Sequence, residues 1–370
     1  MALFKLNSNS KTLQPTVFIH GGPGANSGLF LGSILRHGSI HMKSNIIFHD
    51  QPACGFDKSF VDNYTFESIC NHLFLDLNSF SNVRFLAESF GCTLALEFAS
   101  RYPSKINSLT LVGPHFDRHQ AQKNIYKLAS LIARRLIIDL GVEPHKSEFL
   151  RSFLQRKKDK LSFRESSSKK RTLGSEFILN KWPKEKVTCF ENEFSTFLQK
   201  NKLSLFLQEL LVESLNDDLK IFELSPNYDQ PLSTEKLKFL AKKYELFFKS
   251  SSTFYEVKNC REQALRFPNS PYTELSLDRT NKTYSQDLEA KTDWEFKSRW
   301  PLVKQVVEKG VRVNIITGSD DPFTTGVENI SLLNTNKNFK SQIIDQVGHS
   351  PIYEKPKLTY QLLESVLYEF

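Results

Sequence analysis

Residues 83–100, VRFLAESFGCTLALEFAS, constrain the fold more than any other stretch of this chain. Val83–Ala87 is a short apolar run typical of a buried strand, and residues 91–100, after a turn, are apolar on nearly every side. A helix of that kind has to be covered by other parts of the protein. The pattern favours an α/β fold in which this helix packs deep against a sheet.

Short apolar segments alternate with helical patterns at both ends of the chain. Further strands are predicted at Thr16–Ile19, Asn45–Phe48, Leu109–Val112, Val313–Ile316 and Gln342–Ile344. In residues 357–370 apolar side chains recur at helical spacing: Leu358, Leu362, Leu363, Val366, Leu367 and Phe370. We therefore predict a mostly parallel sheet with helices on both faces, closed by a terminal helix.

Between residues 116 and 299 this alternation stops. The segment is rich in Lys, Ser and Phe, and it contains long helical patterns at 203–215 and 234–248. An insertion of this kind between two strands indicates a cap or lid. We predict a core domain made of residues 1–115 and 300–370, and a mainly helical cap domain at 116–299.

The positive charge of the chain is concentrated in the same region. Residues 117–300 hold 34 Lys and Arg against 26 Asp and Glu, and nine of the basic residues lie in 151–171. We interpret that stretch as a solvated helix face and a Ser-rich loop. Since no nucleic-acid-binding module or interleaved aromatic surface accompanies it, no nucleic-acid partner is expected.

Composition sets further limits. The chain has 370 residues, of which 39% are hydrophobic, enough for a full core. We expect a cytoplasmic protein without a membrane partner, because the sequence has neither a signal-peptide pattern nor a run of about 18 apolar residues. Five scattered cysteines without a CxxC pair indicate free thiols. Without metal-binding or phosphate-binding motifs, no metal or cofactor is expected.

A glycine-rich segment follows the first internal strand in TVFIHGGPG, residues 16–24. Three glycines and a proline in five residues can continue neither a strand nor a helix. One interpretation is a tight turn in which the glycines supply positive φ angles. The other is a loop whose N–H groups face a developing negative charge, as an oxyanion hole requires. The choice depends on a nucleophile.

Ser89 is the candidate nucleophile, because it lies in the turn AESFG between a strand and a helix, the setting of a nucleophile elbow. Ala87 replaces the usual first glycine and is small enough for the turn. Such a serine needs a base and an orienting acid, in the order Ser, acid, His. Asp320 and Asp321 follow one predicted strand and His349 follows another, where open α/β sheets build their sites.

With these motifs the chain resembles the α/β-hydrolases of the proline iminopeptidase type. The matching segments are HGGPG (20–24), DQPACGFDKS (50–59), AESFGCTLALEFASRYPSKI (87–106), GSDDP (318–322) and GHSP (348–351). The resemblance implies an α/β-hydrolase fold with a cap, Ser89 as nucleophile, Asp321 as orienting acid and His349 as general base. It also implies an oxyanion hole formed by the backbone N–H groups of Gly22 and Phe90.

The activity implied is that of an aminopeptidase that forms an acyl-enzyme and releases an N-terminal residue such as proline from a short peptide. Members of the family usually have two antiparallel strands before the HGGPG strand, whereas the 15 residues before Thr16 leave room for one short strand. The 50–59 segment also departs from the family, at Pro52-Ala53. The cap residues that hold a substrate's amino terminus in the family have no visible match. An esterase, a thioesterase or a small-molecule amidase is the second hypothesis, and a non-catalytic binding module is the third.

Overall fold

The computed structural model describes residues 3–6, 14–38, 46–117, 121, 251–278, 284, 287–288, 291–292, 297–319, 321, 323–324, 333 and 335–368. All of them belong to one compact unit formed by residues 1–121 and 250–370. The helical patterns expected at 203–215 and 234–248, and the basic stretch 151–171, lie outside the described residues.

Seven strands form one sheet in this unit: β1 Leu3–Lys5, β2 Thr16–Ile19, β3 Ile46–His49, β4 Val83–Glu88, β5 Ile106–Val112, β6 Arg312–Gly318 and β7 Phe339–Ile344. Their order is β1-β3-β2-β4-β5-β6-β7. The edge strand β1 pairs antiparallel with β3, and every other pair is parallel. The central strands β2 and β4 are buried at every position, which is why they read as unbroken apolar runs.

The helices of the unit are α1 Gly28–His37, α2 Phe66–Asp76, α3 Phe90–Arg101, α4 Ser251–Arg266, α5 Glu274–Asp278, α6 Trp300–Glu308, α7 Pro351–Glu354 and α8 Pro356–Tyr368. A 3-10 turn, Pro103–Lys105, precedes β5. Among the described residues no helix combines the length and the apolar character needed to cross a bilayer.

Two apolar clusters form the core, one on each face of the sheet. The first joins Phe85 of β4 to buried residues of α2, α3 and α6. The second joins Leu86 to buried residues of α1 and α8. Because neighbouring residues of a strand face opposite sides, β4 contributes to both clusters in turn. The prediction of a mostly parallel sheet with helices on both faces is confirmed.

The predicted strand positions agree with the structure, but several strands are longer. β5 begins at Ile106 and not at Leu109, and β7 begins at Phe339 and not at Gln342. The terminal helix is present as α8, in which Leu363, Val366 and Leu367 are buried. Leu358 is a correction to that prediction, because it is 41% exposed.

The unit that contains the sheet also takes in helices that the sequence places in the cap segment. Helix α4 packs on α1, with the carbonyl oxygen of Cys260 only 1.7 Å from the point where a Cβ at Gly32 would lie. Gly32 therefore permits a backbone approach that any side chain would block. The division of the chain at residues 116 and 299 stays a prediction.

Candidate active site

Ser89 occupies a sharp turn between β4 and α3. Its backbone angles are φ 53° and ψ −120°, which is a strained conformation for a residue other than glycine. The turn is fixed at both ends, since the Ser89 N–H donates to the carbonyl of Val112 at 2.9 Å and the Ser89 carbonyl accepts from Cys92 N–H at 3.0 Å. Such strain is typical of functional positions, and it lifts the serine side chain off the end of the sheet.

The elbow requires small residues because other backbone passes close to it. A Cβ at Gly91 would lie 2.4 Å from the carbonyl oxygen of Ile19 and 2.5 Å from that of His20. A Cβ at Gly21 would lie 2.9 Å from the Ser89 Cβ. The loop that follows β2 therefore lies directly against the serine.

The structure brings the three predicted side chains together. The Ser89 Oγ lies 2.8 Å from His349 Nε2, and His349 Nδ1 lies 3.0 Å from each carboxylate oxygen of Asp321. Asp321 has a fully buried side chain and accepts two further hydrogen bonds, from Phe323 N–H at 2.8 Å and from the Thr324 hydroxyl at 2.7 Å. Asp320, the neighbouring candidate acid, lies outside the described residues.

These contacts fix the tautomer of His349. A carboxylate accepts hydrogen bonds and does not donate them, so Nδ1 carries the proton toward Asp321. The lone pair on Nε2 then faces the Ser89 hydroxyl. This is the arrangement that allows an imidazole to take a proton from serine.

Charge and burial have opposite effects on the pKa values of His349 and Asp321. Burial by itself lowers the pKa of His349, but the charge and hydrogen bond of Asp321 outweigh it, with smaller contributions from Glu88 and Glu354, and the pKa is raised. Burial by itself raises the pKa of Asp321, but His349, Thr324 and the Phe323 N–H outweigh it and lower the pKa. Asp321 is therefore ionised at neutral pH.

Gln51, in the segment after β3, holds the glycine loop through both its backbone and its side chain. Gln51 N–H donates to His20 Nε2 at 3.1 Å, and the Gln51 side-chain amide donates to the His20 carbonyl at 3.0 Å. Burial lowers the pKa of His20 to about 3, so its ring is neutral. With Nε2 accepting, Nδ1 carries the proton and donates to the Gly21 carbonyl at 2.9 Å. These contacts fix the loop next to Ser89.

Asp50 ties three separate segments together. Its carboxylate accepts from Ser27 N–H at 2.7 Å, from Phe56 N–H at 3.0 Å and from the Tyr272 hydroxyl at 3.0 Å. Burial raises the pKa of Asp50 to about 6. The DQ pair after β3 was visible in the sequence, but the sequence assigned it no role.

The two predicted oxyanion donors belong to the glycine loop and to the residue that follows Ser89. Gly22 has a φ of 58° in the loop that contacts Ser89, and its carbonyl accepts from Ala25 N–H at 2.9 Å. Phe90 is the first residue of α3, where N–H groups point out of the helix end. The turn interpretation of the glycine loop is therefore correct as geometry, and it is compatible with a role in catalysis.

Ser59 and His72 form a second serine–histidine contact in the described part of the chain, at 3.1 Å. The Ser59 hydroxyl donates to Asp57, at 2.7 Å from its Oδ1. The histidine atom involved, Nε2, also lies 3.4 Å from Asp57 and 3.4 Å from Asp76, and the hydrogen bond with Asp57 raises the pKa of His72. Because the same nitrogen faces serine and carboxylates, this cluster lacks the relay geometry of Ser89.

His, Cys, Asp and Glu side chains, the usual metal ligands, occur throughout the described residues. Within them, no group of three or more His, Cys, Asp or Glu side chains has the arrangement of a metal site. The four described cysteines, Cys54, Cys70, Cys92 and Cys260, are buried thiols. Burial raises the pKa of the Cys70 thiol, and that of Cys260 to about 12, so neither is a reactive thiolate.

Comparisons with known proteins agree with the fold described above. The family model described as alpha/beta hydrolase fold matches residues 14–218. An alpha/beta superfamily hydrolase from Oenococcus oeni PSU-1 has a TM-score of 0.51 at 11% identity, covering 99% of this chain and 94% of that one. A proline iminopeptidase from Mycobacterium smegmatis has a TM-score of 0.52 at 13% identity, with coverages of 99% and 94%.

MenH from S. aureus has a TM-score of 0.50 at 16% identity, covering 99% of this chain and 97% of that one. Identities this low show likeness of fold alone. A search of curated proteins found no match. The family match, however, extends over more than half of the sequence and includes the glycine loop and the Ser89 elbow. The chain belongs to the α/β-hydrolase fold family.

Proposed function

We propose that this protein is a serine hydrolase that works through an acyl-enzyme, with Ser89 as nucleophile, His349 as general base and Asp321 as orienting acid. The observation that carries the proposal is the 2.8 Å contact between Ser89 Oγ and His349 Nε2, on a ring whose other nitrogen meets a buried carboxylate. The strained elbow supports it, because that strain has no packing benefit for a serine.

In the proposed reaction the Ser89 oxygen attacks a substrate carbonyl carbon while its proton passes to His349 Nε2. The N–H groups of Gly22 and Phe90 stabilise the negative charge that develops on the carbonyl oxygen. His349 then gives its proton to the leaving group, which departs and leaves an ester on Ser89. Water, deprotonated by His349, attacks the ester carbonyl, and His349 returns the proton to the Ser89 oxygen as the carboxylic acid product leaves.

We propose further that the leaving group is a peptide and that the residue removed is an N-terminal one such as proline. The support is the set of matching motifs, HGGPG, GSDDP and GHSP, and the fold likeness to a proline iminopeptidase. The four buried thiols fit the reducing environment of the cytoplasm, where we propose that the protein acts.

Turnover of two substrate classes tests the proposal. Proline β-naphthylamide reports aminopeptidase activity, and p-nitrophenyl esters of short acids report esterase activity. We expect the naphthylamide to have the higher kcat/KM. A preference for the esters would support an esterase or a related activity on the same three side chains. Absence of turnover on either, with the protein folded, would favour the non-catalytic binding module.

Ser59→Ala is the matched control for Ser89→Ala in these assays. Ser59 also contacts a histidine, at 3.1 Å, but it lies outside the elbow and donates to Asp57. Activity should survive the loss of Ser59 and disappear with the loss of Ser89. Equal effects of the two substitutions would argue against the assigned nucleophile.

A further inference from the structure

The imidazole of His349 is carried by a loop and not by a helix or a strand. The loop connects β7, which ends at Ile344, to α7, which begins at Pro351. Gln346 in this loop has a φ of 57°, so the chain turns sharply just before the histidine. A base on such a segment needs outside contacts to hold its ring between two partners at once.

Glu354, the last residue of α7, makes those contacts. Its Oε2 accepts from Gly348 N–H at 2.7 Å and its Oε1 accepts from Ser350 N–H at 2.9 Å. The two amides are the ones on either side of His349. One carboxylate therefore holds the backbone before and after the histidine through two charge-assisted hydrogen bonds.

We propose that Glu354 is the positioning residue for His349, holding both flanking amides so that the imidazole stays in line between Ser89 and Asp321. This inference rests on the proposed function, because it gives Glu354 its purpose in the reaction. Glu354 acts through the loop and is not itself a catalytic residue.

Only an ionised carboxylate can make this double contact. Both of its oxygens accept, whereas a glutamine at the same place offers one acceptor oxygen and turns an NH₂ group toward the second amide. An alanine offers neither. Glu at position 354 therefore holds both flanking amides, Gln holds one and Ala holds none.

The charge of Glu354 has a second, separable effect. Among the described residues, three carboxyl groups act on His349: Asp321 from the segment after β6, Glu88 from the end of β4, and Glu354 from α7. Their charges raise the pKa of the imidazole against the effect of burial. Burial raises the pKa of Glu354 itself, and the two amide hydrogen bonds oppose that rise. Removal of the Glu354 charge should therefore lower the pKa of His349.

The experiment compares Glu354→Gln, Glu354→Ala and a control, Glu308→Gln. Glu308 lies on α6 with 58% of its side chain exposed. Each variant is measured with p-nitrophenyl acetate for kcat, KM and the pH at which kcat/KM is half-maximal. Labelling rates with a fluorophosphonate, melting temperatures and hydrogen exchange of residues 346–352 complete the comparison.

We expect kcat to fall up to about 10²-fold in Glu354→Ala. A smaller fall is expected in Glu354→Gln, with KM unchanged in both. The half-maximal pH should move downward in both, and Glu308→Gln should match the wild type. Exchange of the loop amides should become faster from wild type to Gln to Ala. A residue with a merely structural role would lower the melting temperature without shifting the pH profile.

Failure of this inference can be separated from failure of the proposed function. If the wild type is labelled by the fluorophosphonate, and both variants keep its labelling rate, kcat and half-maximal pH, the positioning role is overturned. If Glu354→Ala does not fold, the same measurements on Glu354→Gln test the positioning role. If the wild type itself is not labelled, the proposed function fails. In that case, unchanged exchange of the loop amides in both Glu354 variants would overturn the positioning role of Glu354 as well.

Discussion

The Nε2 atom of His349 lies 2.8 Å from the Oγ of Ser89, although 260 positions separate the two residues in the chain. Ser89 follows β4 and His349 follows β7, and β5 and β6 lie between those strands in the sheet. The histidine loop therefore has to cross the ends of two strands. A glycine lies at each crossing. At Gly113, after β5, an added Cβ would lie 2.3 Å from the carbonyl oxygen of His349. At Gly318, the end of β6, an added Cβ would lie 2.0 Å from the carbonyl oxygen of Val347.

Asp321→Asn should lower kcat by about 10³- to 10⁴-fold with little change in melting temperature. Asn can present an N–H to Nδ1, and the ring then adopts the tautomer whose Nε2 carries the proton, which cannot accept one from Ser89. The control is Asp320→Asn, for which we expect a far smaller effect. If the Asp320 variant is the more damaged of the two, the choice between the adjacent carboxylates is wrong.

The pH dependence of kcat/KM should follow His349. Burial lowers the pKa of His349, but the charges of Asp321, Glu88 and Glu354 outweigh it and raise the pKa above the ordinary value for histidine. The neutral ring is the active form, so activity should be full above this raised pKa and fall as the pH drops through it. We expect the half-maximal pH above the usual value for histidine. A flat profile between pH 5 and 8 would contradict a histidine base.

Glu88→Gln should move that half-maximal pH downward. Glu88 is 8% exposed, directly precedes Ser89, and burial raises its pKa to about 7. Its negative charge stabilises protonated His349. Without that charge the ring loses its proton at lower pH, and the enzyme stays active there.

Tyr353→Phe is the companion to Glu88→Gln, because the Tyr353 hydroxyl lies 3.5 Å from Glu88 Oε2 and helps to keep the pKa of that carboxyl from rising further. Its loss should reduce the fraction of charged Glu88 and give a smaller shift in the same direction. An upward shift of the half-maximal pH in either variant, or no shift in Glu88→Gln, would show that the charge of Glu88 does not raise the pKa of His349.

Gly22→Ala tests the glycine loop. Gly22 has a φ of 58°, which strains any L side chain, and an added Cβ would lie 3.2 Å from the Ala25 Cβ, so we expect the loop to relax and displace the Gly22 N–H. Loss of an oxyanion donor costs about 10²- to 10³-fold in kcat. Gly310→Ala is the control, since Gly310 has a φ of 87° and open space around it. Both variants should lose similar stability, and only Gly22→Ala should lose activity. Equal kcat values in the two variants would leave HGGPG as a turn alone.

Much of the fold was predictable because burial leaves a periodic pattern. β2, β4 and the helix α3 read directly as apolar segments. The order serine, acid, histidine indicated Ser89 and His349, and the family resemblance chose Asp321 over Asp320. Strand β1 pairs at an edge and has two partly buried residues and one exposed residue, so its pattern was weak. Leu358 fits the helical spacing and is exposed, since spacing alone does not say where the apolar face ends.

The supporting contacts were less predictable for another reason. Glu354 bonds to backbone amides, Asp50 joins three segments distant in the chain, and Glu88 faces a loop that begins more than two hundred residues later. Hydrogen bonds of this kind leave no periodic signal in the sequence. They depend on which loops the sheet order places side by side.

The most direct test of the central claim, that Ser89 is an activated nucleophile, is mass spectrometry of the protein after incubation with a fluorophosphonate. We predict one adduct per chain, located on the peptide that contains Ser89, formed at the wild-type rate in Ser59→Ala and absent in a folded Ser89→Ala variant. An adduct that persists in Ser89→Ala, or a folded wild-type protein that forms none, would contradict the account.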